Sequence, residues 1–219
     1  MTHDSWFGVT PESIARYTIN LAQVVTGKHA HICSTIAEHV SYSAPSTKTV
    51  LIDAFAGVGG NTIAFALSGR FSQIFAIEKD PIALRCAKHN AEVYGVANKI
   101  FWIEGDCFEQ IKKRFSTGMK EKAIVFASPP WGGPGYSGDA IFDLTTMQPY
   151  DLQKLYDAFS KVTKEVVLYL PRTSDLNQLA QLVGNEGEEL PDEKKLQVTH
   201  YCMRGASKAL CAYYGDFSE

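Results

Sequence analysis

The sequence predicts an α/β fold in which helices cover both faces of one mostly parallel, seven-stranded sheet. Short apolar runs alternate with amphipathic stretches from residue 49 onward, a pattern typical of a parallel sheet. The last two apolar runs, 196–203 and 209–214, are joined by only five residues. A parallel crossover needs a dozen residues or more. We therefore expect the sheet to end in an antiparallel hairpin.

The composition is that of one folded unit with modest charge. The 219 residues, 45% of them hydrophobic, are enough to bury roughly 70% of the unfolded surface. No apolar run approaches the roughly 20 residues of a membrane span, and the first ten residues lack a signal peptide's apolar core, so we expect a soluble, intracellular protein. The five cysteines have no zinc spacing, so we expect reduced thiols and no bound metal.

The chain divides into an N-terminal helical segment, 1–48, that packs on a core formed by 49–219. Thr10-Pro11 is an N-cap followed by proline at the first helical position, and Ile32, Ile36 and Val40 predict a second helix. In the core, strands are predicted at 49–55, 73–78, 99–103, 123–127, 165–170, 196–203 and 209–214. Helices are predicted at 61–67, 81–94, 107–115, 148–162 and 176–182.

A glycine-rich loop joins the first strand of the core to its first helix. Ligands of open α/β sheets bind at the carboxyl ends of the strands, and Gly57 and Gly59 let the backbone approach a ligand closely. Asn61 and Thr62 then open the helix. A dinucleotide-binding fingerprint would have its third glycine at position 62, so the threonine there disfavours that alternative.

Carboxylates stand at the ends of the first three strands. Asp53 either partners the ammonium group of a methionine moiety or holds the loop. Glu78, followed by Lys79, lies about 20 residues beyond the glycines, where a carboxylate can accept hydrogen bonds from ribose hydroxyls. Asp106, followed by Cys107, is placed to reach an adenine amino group. This pattern predicts S-adenosyl-L-methionine as the cofactor. A parallel sheet that ends in an antiparallel hairpin is the architecture of Rossmann-like class I methyltransferases.

The fourth strand leads into the stretch SPPWGGP, residues 128–134. Proline lacks an N–H and keeps the preceding residue extended, so backbone carbonyls are left free beside a large flat ring. Hydrogen bonds from an exocyclic amine to Ser128 and to the Pro129 carbonyl can turn its delocalised lone pair toward a sulfonium methyl group. The alternative is a Pro/Gly turn with a core tryptophan.

Four stretches, WFGVTPESIA, DAFAGVGGNTIAFA, NAEVYG and SPPWGGPGY, resemble the signature stretches of the trimethylguanosine synthases, and the resemblance covers nearly the entire chain. These enzymes dimethylate N2 of the 7-methylguanosine cap of small nuclear and nucleolar RNAs. The resemblance implies capped RNA as the substrate and a nuclear or nucleolar location, with the cytoplasm as the alternative. It is also compatible with a monomer that receives its RNA from ribonucleoprotein partners.

The resemblance assigns roles to the acceptor residues. Trp131, beside Pro130, matches the tryptophan that stacks on the cationic 7-methylguanine, a contact worth roughly 0.5–2 kcal/mol. Ser128 and Pro129 match the residues that line the N2 amine, so these two and Trp131 form the expected catalytic set. Asn90 matches an asparagine near the acceptor.

Further matches concern the cap phosphates and the N-terminal stretch. Tyr136 and Arg172 match positions that contact the cap phosphates, and Thr10 and Pro11 match a stretch that closes over the methionine end of the cofactor. A single cap needs only local cations, which is compatible with the net charge of −3.

Three departures from the family pattern bear on the function. Gly8 stands where a relative has serine against the base, Glu78 replaces the commoner aspartate, and only five residues precede Trp6. A cap-binding module without turnover therefore stays an alternative. Another is an N2-guanine or N6-adenine methyltransferase acting on internal bases of rRNA or tRNA.

Overall fold

A computed structural model of the chain describes residues 32–115, 117–119, 121–133, 140–184, 196–203 and 205–217. Within these ranges the helices are α1 (Ile32–Ser43), α2 (Gly60–Ser68), α3 (Pro81–Val93), α4 (Cys107–Arg114), α5 (Leu152–Ser160) and α6 (Leu176–Gln181). The strands are β1 (Val50–Asp53), β2 (Gln73–Glu78), β3 (Ile100–Glu104), β4 (Ala123–Ala127), β5 (Val166–Pro171), β6 (Leu196–Met203) and β7 (Ala206–Tyr214). The predicted helix that begins near Thr10 lies outside the described residues.

The strands form one sheet in the order β3-β2-β1-β4-β5-β7-β6. Strands β1 to β5 are parallel, whereas β7 runs antiparallel to both β5 and β6. The predicted parallel sheet and its antiparallel hairpin are thus confirmed. Because the chain order reverses around β1, the carboxyl ends of β1, β2 and β4 border a crevice where ligands bind in such sheets.

Hydrophobic cores lie on both faces of the sheet, since successive side chains of a strand point to opposite faces. Ile124 and Phe126 of β4 belong to the core that Ile36 of α1 joins, while Val125 belongs to the core that Phe159 of α5 joins. All five side chains of β4 are buried. Each large apolar side chain buried in this way contributes about 1.5–3 kcal/mol, so the strand that carries the SPPW loop is firmly held.

Helix α5 begins four residues later than the sequence pattern predicts. The side chain of Asp151 accepts a hydrogen bond from the Lys154 N–H, 2.8 Å away, and so caps the helix before Leu152. The prediction of helix from residue 148 was therefore wrong, and Tyr150 lies in the preceding loop. The first strand also ends early, at Asp53, because the Phe55 N–H donates to the Asp53 side chain instead of continuing the ladder.

In the part of the chain that the structure describes, no helix is both long and apolar enough to span a membrane.

Candidate active site

A cavity of about 520 Å³ opens at the carboxyl ends of the parallel strands. Its walls come from the loops that follow four successive strands and from the segment that precedes α5. The residues that line it include Phe55 and Gly57 after β1, Glu78 and Lys79 at β2, Asp106 and Cys107 after β3, Ser128 and Pro130 after β4, and Pro149 and Tyr150 before α5. The volume lies within the range of about 300–1,000 Å³ that is typical of small-molecule sites.

The Glu78 carboxylate is fixed by two backbone groups. Its Oε2 accepts a hydrogen bond from the Gly57 N–H and its Oε1 from the Asp80 N–H, both at 2.7 Å. Each carboxylate oxygen has two lone pairs, so each can accept one more hydrogen bond from the cavity side. This arrangement suits a ligand with two neighbouring hydroxyls, such as a ribose.

The glycine loop depends on backbone conformations and close approaches that favour glycine. Gly57 has a φ of +55°, in the left-handed region. At Gly59, a Cβ would lie 3.2 Å from the Ala87 Cβ of α3. A side chain there would therefore push α3 away from the start of α2.

Asn90 also holds the glycine loop in place. Its Nδ2 donates a hydrogen bond to the Val58 carbonyl oxygen, 2.9 Å away. Because Asn90 lies on α3, this bond ties the helix to the loop that borders the cavity. The structure thus places Asn90 against the glycine loop, and its expected place near the acceptor stays a prediction.

Asp53 is buried beneath the glycine loop, with 1% of its surface exposed. Its Oδ2 accepts a hydrogen bond from the Thr62 hydroxyl at 2.5 Å, and its Oδ1 accepts one from the Phe55 N–H at 3.3 Å. Burial raises the pKa of this carboxyl to about 7. This geometry favours the second of the two sequence interpretations, in which Asp53 holds the loop against α2. Asn61 is buried at the same helix start.

Asp106 caps α4 at the far wall of the cavity. Its Oδ1 accepts hydrogen bonds from the N–H groups of Phe108 and Glu109, at 3.0 and 3.4 Å. Cys107, the first residue of the helix, is buried, and burial raises the pKa of its thiol to about 12. The thiol therefore contributes neutral, apolar lining and stays protonated at neutral pH.

The SPPW loop forms the wall beside β4. Ser128 is buried and Pro130 is exposed, and both line the cavity, while Pro129 is buried between them. Trp131 is partly buried, and its Nε1 donates a hydrogen bond to the Tyr169 carbonyl oxygen at 3.2 Å. The two rings are also in contact, with centroids 5.4 Å apart. The neighbouring strand β5 fixes the indole in this way.

Arg172 is exposed and follows β5, the strand next to β4. The carboxyl ends of parallel neighbours meet at the same end of the sheet, so Arg172 lies at the same end of the sheet as the SPPW loop. Gly8, Thr10, Pro11 and Tyr136 lie outside the described residues.

Residues 142–150 precede α5, and the last three of them were predicted to be helical. Hydrogen bonds at both ends tie this segment to the rest of the site. Near its start, the Phe142 N–H donates to the Thr173 carbonyl beyond β5, at 2.7 Å. At its end, the Tyr150 hydroxyl donates to Asp106 Oδ2, at 3.1 Å. Tyr150 was not predicted as a site residue, because the helical pattern continues through residues 148–151. Asp151 is, however, an N-cap signal that could have placed Tyr150 before the helix.

These residues fit S-adenosyl-L-methionine. Glu78 presents acceptors suited to ribose hydroxyls, and Asp106 presents one suited to an amino group. The Gly57 backbone is open, since no atom outside Gly57 and its two chain neighbours lies within 4 Å of where its Cβ would be. Among the described residues, no group of three or more His, Cys, Asp or Glu side chains is arranged to hold a metal ion.

Comparison with known proteins gives close relatives over nearly the whole chain. Residues 48–217 match the family described as RNA cap guanine-N2 methyltransferase. The chain is 32% identical to the trimethylguanosine synthase of Schizosaccharomyces pombe over 215 residues, which are 98% of this chain and 77% of that protein. It is also 32% identical to the trimethylguanosine synthase of Saccharomyces cerevisiae over 217 residues, 99% of this chain but 61% of that longer protein.

The fold is shared with solved methyltransferase structures of low sequence identity. The O-methyltransferase TomG from Streptomyces achromogenes, solved in complex with S-adenosylmethionine, superposes with a TM-score of 0.58 at 10% identity and covers 84% of this chain and 78% of its own. At that identity the likeness concerns the fold, and it confirms the predicted methyltransferase architecture.

Proposed function

The chain belongs to the RNA cap guanine-N2 methyltransferase family, and from this premise we propose that it methylates the exocyclic N2 amine of the 7-methylguanosine cap of RNA. S-adenosyl-L-methionine is the methyl donor, and the products are 2,7-dimethylguanosine and 2,2,7-trimethylguanosine caps. We extend the proposal to small nuclear and nucleolar RNAs as substrates, to a nuclear or nucleolar location, and to a monomer that receives its RNA from ribonucleoprotein partners.

One observation carries the proposal: two residues of the SPPW loop line the same cavity as the carboxylates that fit the cofactor. Ser128 and Pro130 line the same space as Glu78 and Asp106. A methyltransferase must hold its donor and its acceptor within reach of each other, since proximity and orientation supply much of the rate enhancement. Hydrogen-bond acceptors beside the donor pocket suit an acceptor that carries N–H groups.

The chain's own residues then orient the amine. The Pro129 carbonyl and the Ser128 side chain accept hydrogen bonds from the N2 amino group, which directs its lone pair away from the ring system. S-adenosyl-L-methionine supplies an electrophilic methyl group on a sulfonium. A strong base is not required at this site, because the amine becomes acidic once it carries the additional methyl group.

In this proposal, Trp131 distinguishes the 7-methylated cap from unmethylated guanine. Its hydrogen bond to Tyr169 and its packing against the core fix the ring orientation in advance. A cationic 7-methylguanine over the indole gains about 0.5–2 kcal/mol relative to neutral guanine. Arg172, on the same side of the site, is suited to bind the cap phosphates.

The proposal is tested by incubating the protein with labelled S-adenosylmethionine and 7-methyl-GTP, GTP or uncapped RNA in parallel. We expect transfer to 7-methyl-GTP and about tenfold slower transfer to GTP, in line with the cation-stacking energy. Preferred labelling of uncapped RNA would indicate an internal-base methyltransferase instead. Binding of 7-methyl-GTP without transfer would identify a cap-binding module. Mass spectrometry of the product counts the methyl groups added.

A further inference from the structure

Tyr150 forms a hydrogen bond with a residue 44 positions away in sequence. It lies immediately before Asp151, the N-cap of α5, and its hydroxyl donates a hydrogen bond to Asp106 Oδ2 at 3.1 Å. Both side chains line the cavity. Tyr150 therefore contacts the very carboxylate that is placed to reach the adenine amino group.

This contact completes the fixation of Asp106. Oδ1 already accepts hydrogen bonds from the N–H groups of Phe108 and Glu109. The bond from Tyr150 gives Oδ2 a partner as well, so both oxygens of the carboxylate are held. Desolvation, followed by the hydrogen bond to Asp106, raises the pKa of Tyr150 to about 12. The phenol therefore stays protonated and remains a donor throughout the neutral range.

Aromatic neighbours hold the Tyr150 ring in place. The ring packs edge-to-face on Phe108 of α4, with centroids 4.8 Å apart, and lies 6.0 Å from Phe55 of the glycine loop. The Lys154 ammonium lies 4.8 Å from the centroid of the same ring, a favourable cation–π distance. Contacts with the loop after β1 and with α4 therefore fix Tyr150 at one end of the cavity.

We propose that Tyr150 is a positioning residue for the adenine of the cofactor: it holds Asp106 in one orientation and, with Pro149, closes the adenine end of the cavity. This inference rests on the proposed use of S-adenosyl-L-methionine. With one lone pair of Oδ2 occupied by Tyr150, the other stays available for a donor. The 6-amino group of adenine is such a donor, whereas the 6-oxo group of hypoxanthine is an acceptor and meets the carboxylate unfavourably.

The test is calorimetric binding of S-adenosylhomocysteine and of its inosine analogue, S-inosylhomocysteine, to the wild-type chain and to Tyr150→Phe. The variant keeps the ring and removes only the hydroxyl. We expect its affinity for S-adenosylhomocysteine to fall about tenfold, as for loss of a hydrogen bond to a charged group, and its preference over the inosine analogue to shrink. Tyr156→Phe is the matched control, because Tyr156 packs against Tyr214 and does not line the cavity.

A double variant separates positioning from simple packing. In Asp106→Asn the helix keeps a good N-cap, but the carboxylate is gone. If Tyr150 acts through Asp106, adding Tyr150→Phe to Asp106→Asn costs less than twofold in affinity. Equal loss in both backgrounds, wild-type affinity of Tyr150→Phe, or a wild-type chain that binds both ligands equally would each overturn the inference while leaving the methyltransferase proposal intact. A wild-type chain that binds neither ligand would instead overturn the proposed function.

Discussion

The indole Nε1 of Trp131 donates a hydrogen bond to the carbonyl oxygen of Tyr169, 3.2 Å away on the neighbouring strand. This bond joins the end of β4, where the SPPW loop begins, to the buried backbone of β5. The tryptophan is consequently oriented by the sheet itself. A ring held in this way is ready to stack on a flat base without first losing rotational freedom.

Comparison of Trp131→Ala with Trp131→Phe distinguishes the effect of losing the ring from the effect of losing the hydrogen bond that orients it. We expect the alanine variant to lose detectable methylation of 7-methyl-GTP, while its affinity for S-adenosylhomocysteine stays within twofold of wild type. The phenylalanine variant keeps a ring but lacks the Nε1 donor, so its KM for 7-methyl-GTP should rise about tenfold. Steady-state kinetics measure both effects, with Trp102→Phe as the control, since Trp102 lies on β3 and is not among the residues that line the cavity. Near-wild-type activity of Trp131→Ala would contradict the stacking role.

Glu78→Gln should weaken cofactor binding. The amide keeps one oxygen but places an NH₂ group against one of the two backbone N–H donors, Gly57 or Asp80. We expect the dissociation constant of S-adenosylhomocysteine, measured by calorimetry, to rise at least about tenfold. Glu104→Gln is the matched control, because Glu104 is the exposed register partner of Glu78 on β3. Unchanged affinity of Glu78→Gln would remove Glu78 from the ribose site.

Asn90→Ala should loosen the glycine loop. The variant leaves every side chain that lines the cavity in place, because Asn90 is not one of them. Loss of the bond to the Val58 carbonyl leaves that oxygen without its amide donor. We expect affinity for S-adenosylhomocysteine to fall about three- to tenfold. The exposed Asn98, substituted in the same way, should leave binding unchanged. If Asn90→Ala instead raises only the KM for 7-methyl-GTP, then the residue serves the acceptor, as the family resemblance implies.

The parallel sheet, its hairpin and the order of strand and helix could be read from the sequence, because hydrophobic periodicity and loop length determine them locally. The start of α5 was misread, because the helical pattern continues through Tyr150 and outweighs the N-cap signal of Asp151, where the helix begins. The Asn90–Val58 bond spans 32 positions, and periodicity carries no information on such contacts. The positions of Glu78 and Asp106 followed from strand ends, whereas their hydrogen-bond partners required the folded chain.

Asp53 should make the fold less stable as the pH rises. Its pKa of about 7 in the folded state lies above the ordinary value of 3.8, mainly because the carboxyl is buried. Between pH 4 and 7 the folded chain therefore binds the proton more strongly than the unfolded chain, and the contribution of this group to stability falls across that window. The effect amounts to at most about 4 kcal/mol at 1.36 kcal/mol per pKa unit.

Asp53→Asn isolates this contribution, since asparagine cannot ionise. The stability of the variant relative to wild type should increase from pH 5 to pH 8, as measured by urea unfolding at each pH. Asp143→Asn serves as a control without a pH effect in this range. The pKa of the exposed Asp143 is lowered from the ordinary value of 3.8 by hydrogen bonds from Thr145 and Gln178, so this carboxyl titrates below pH 5 and the stability difference should stay constant from pH 5 to pH 8. A pH-independent difference for Asp53→Asn would show that the Asp53 carboxyl ionises with its ordinary pKa.

Lys48 and Glu165 form a buried ion pair at the end of the sheet opposite the cavity. The Lys48 ammonium lies 2.5 Å from Glu165 Oε2, with 9% and 8% of the two side chains exposed, and the Thr163 hydroxyl also donates to Oε2 at 2.8 Å. These residues precede β1 and β5, so they lie at the amino ends of the strands, whereas the cavity lies at the carboxyl ends. The pair should therefore affect stability and not cofactor binding.

Lys48→Met leaves the Glu165 charge buried without its cation and should cost about 3–5 kcal/mol in the free energy of unfolding at pH 7. The double variant Lys48→Met/Glu165→Leu should recover most of that loss, because a buried ion pair replaced by apolar groups of similar volume is often neutral. Urea unfolding of both variants measures this coupling, and calorimetry should find their affinity for S-adenosylhomocysteine unchanged. If the single variant costs less than about 1 kcal/mol, the pair behaves as a solvated surface contact, and the amino ends of β1 and β5 are more open to water than their burial indicates.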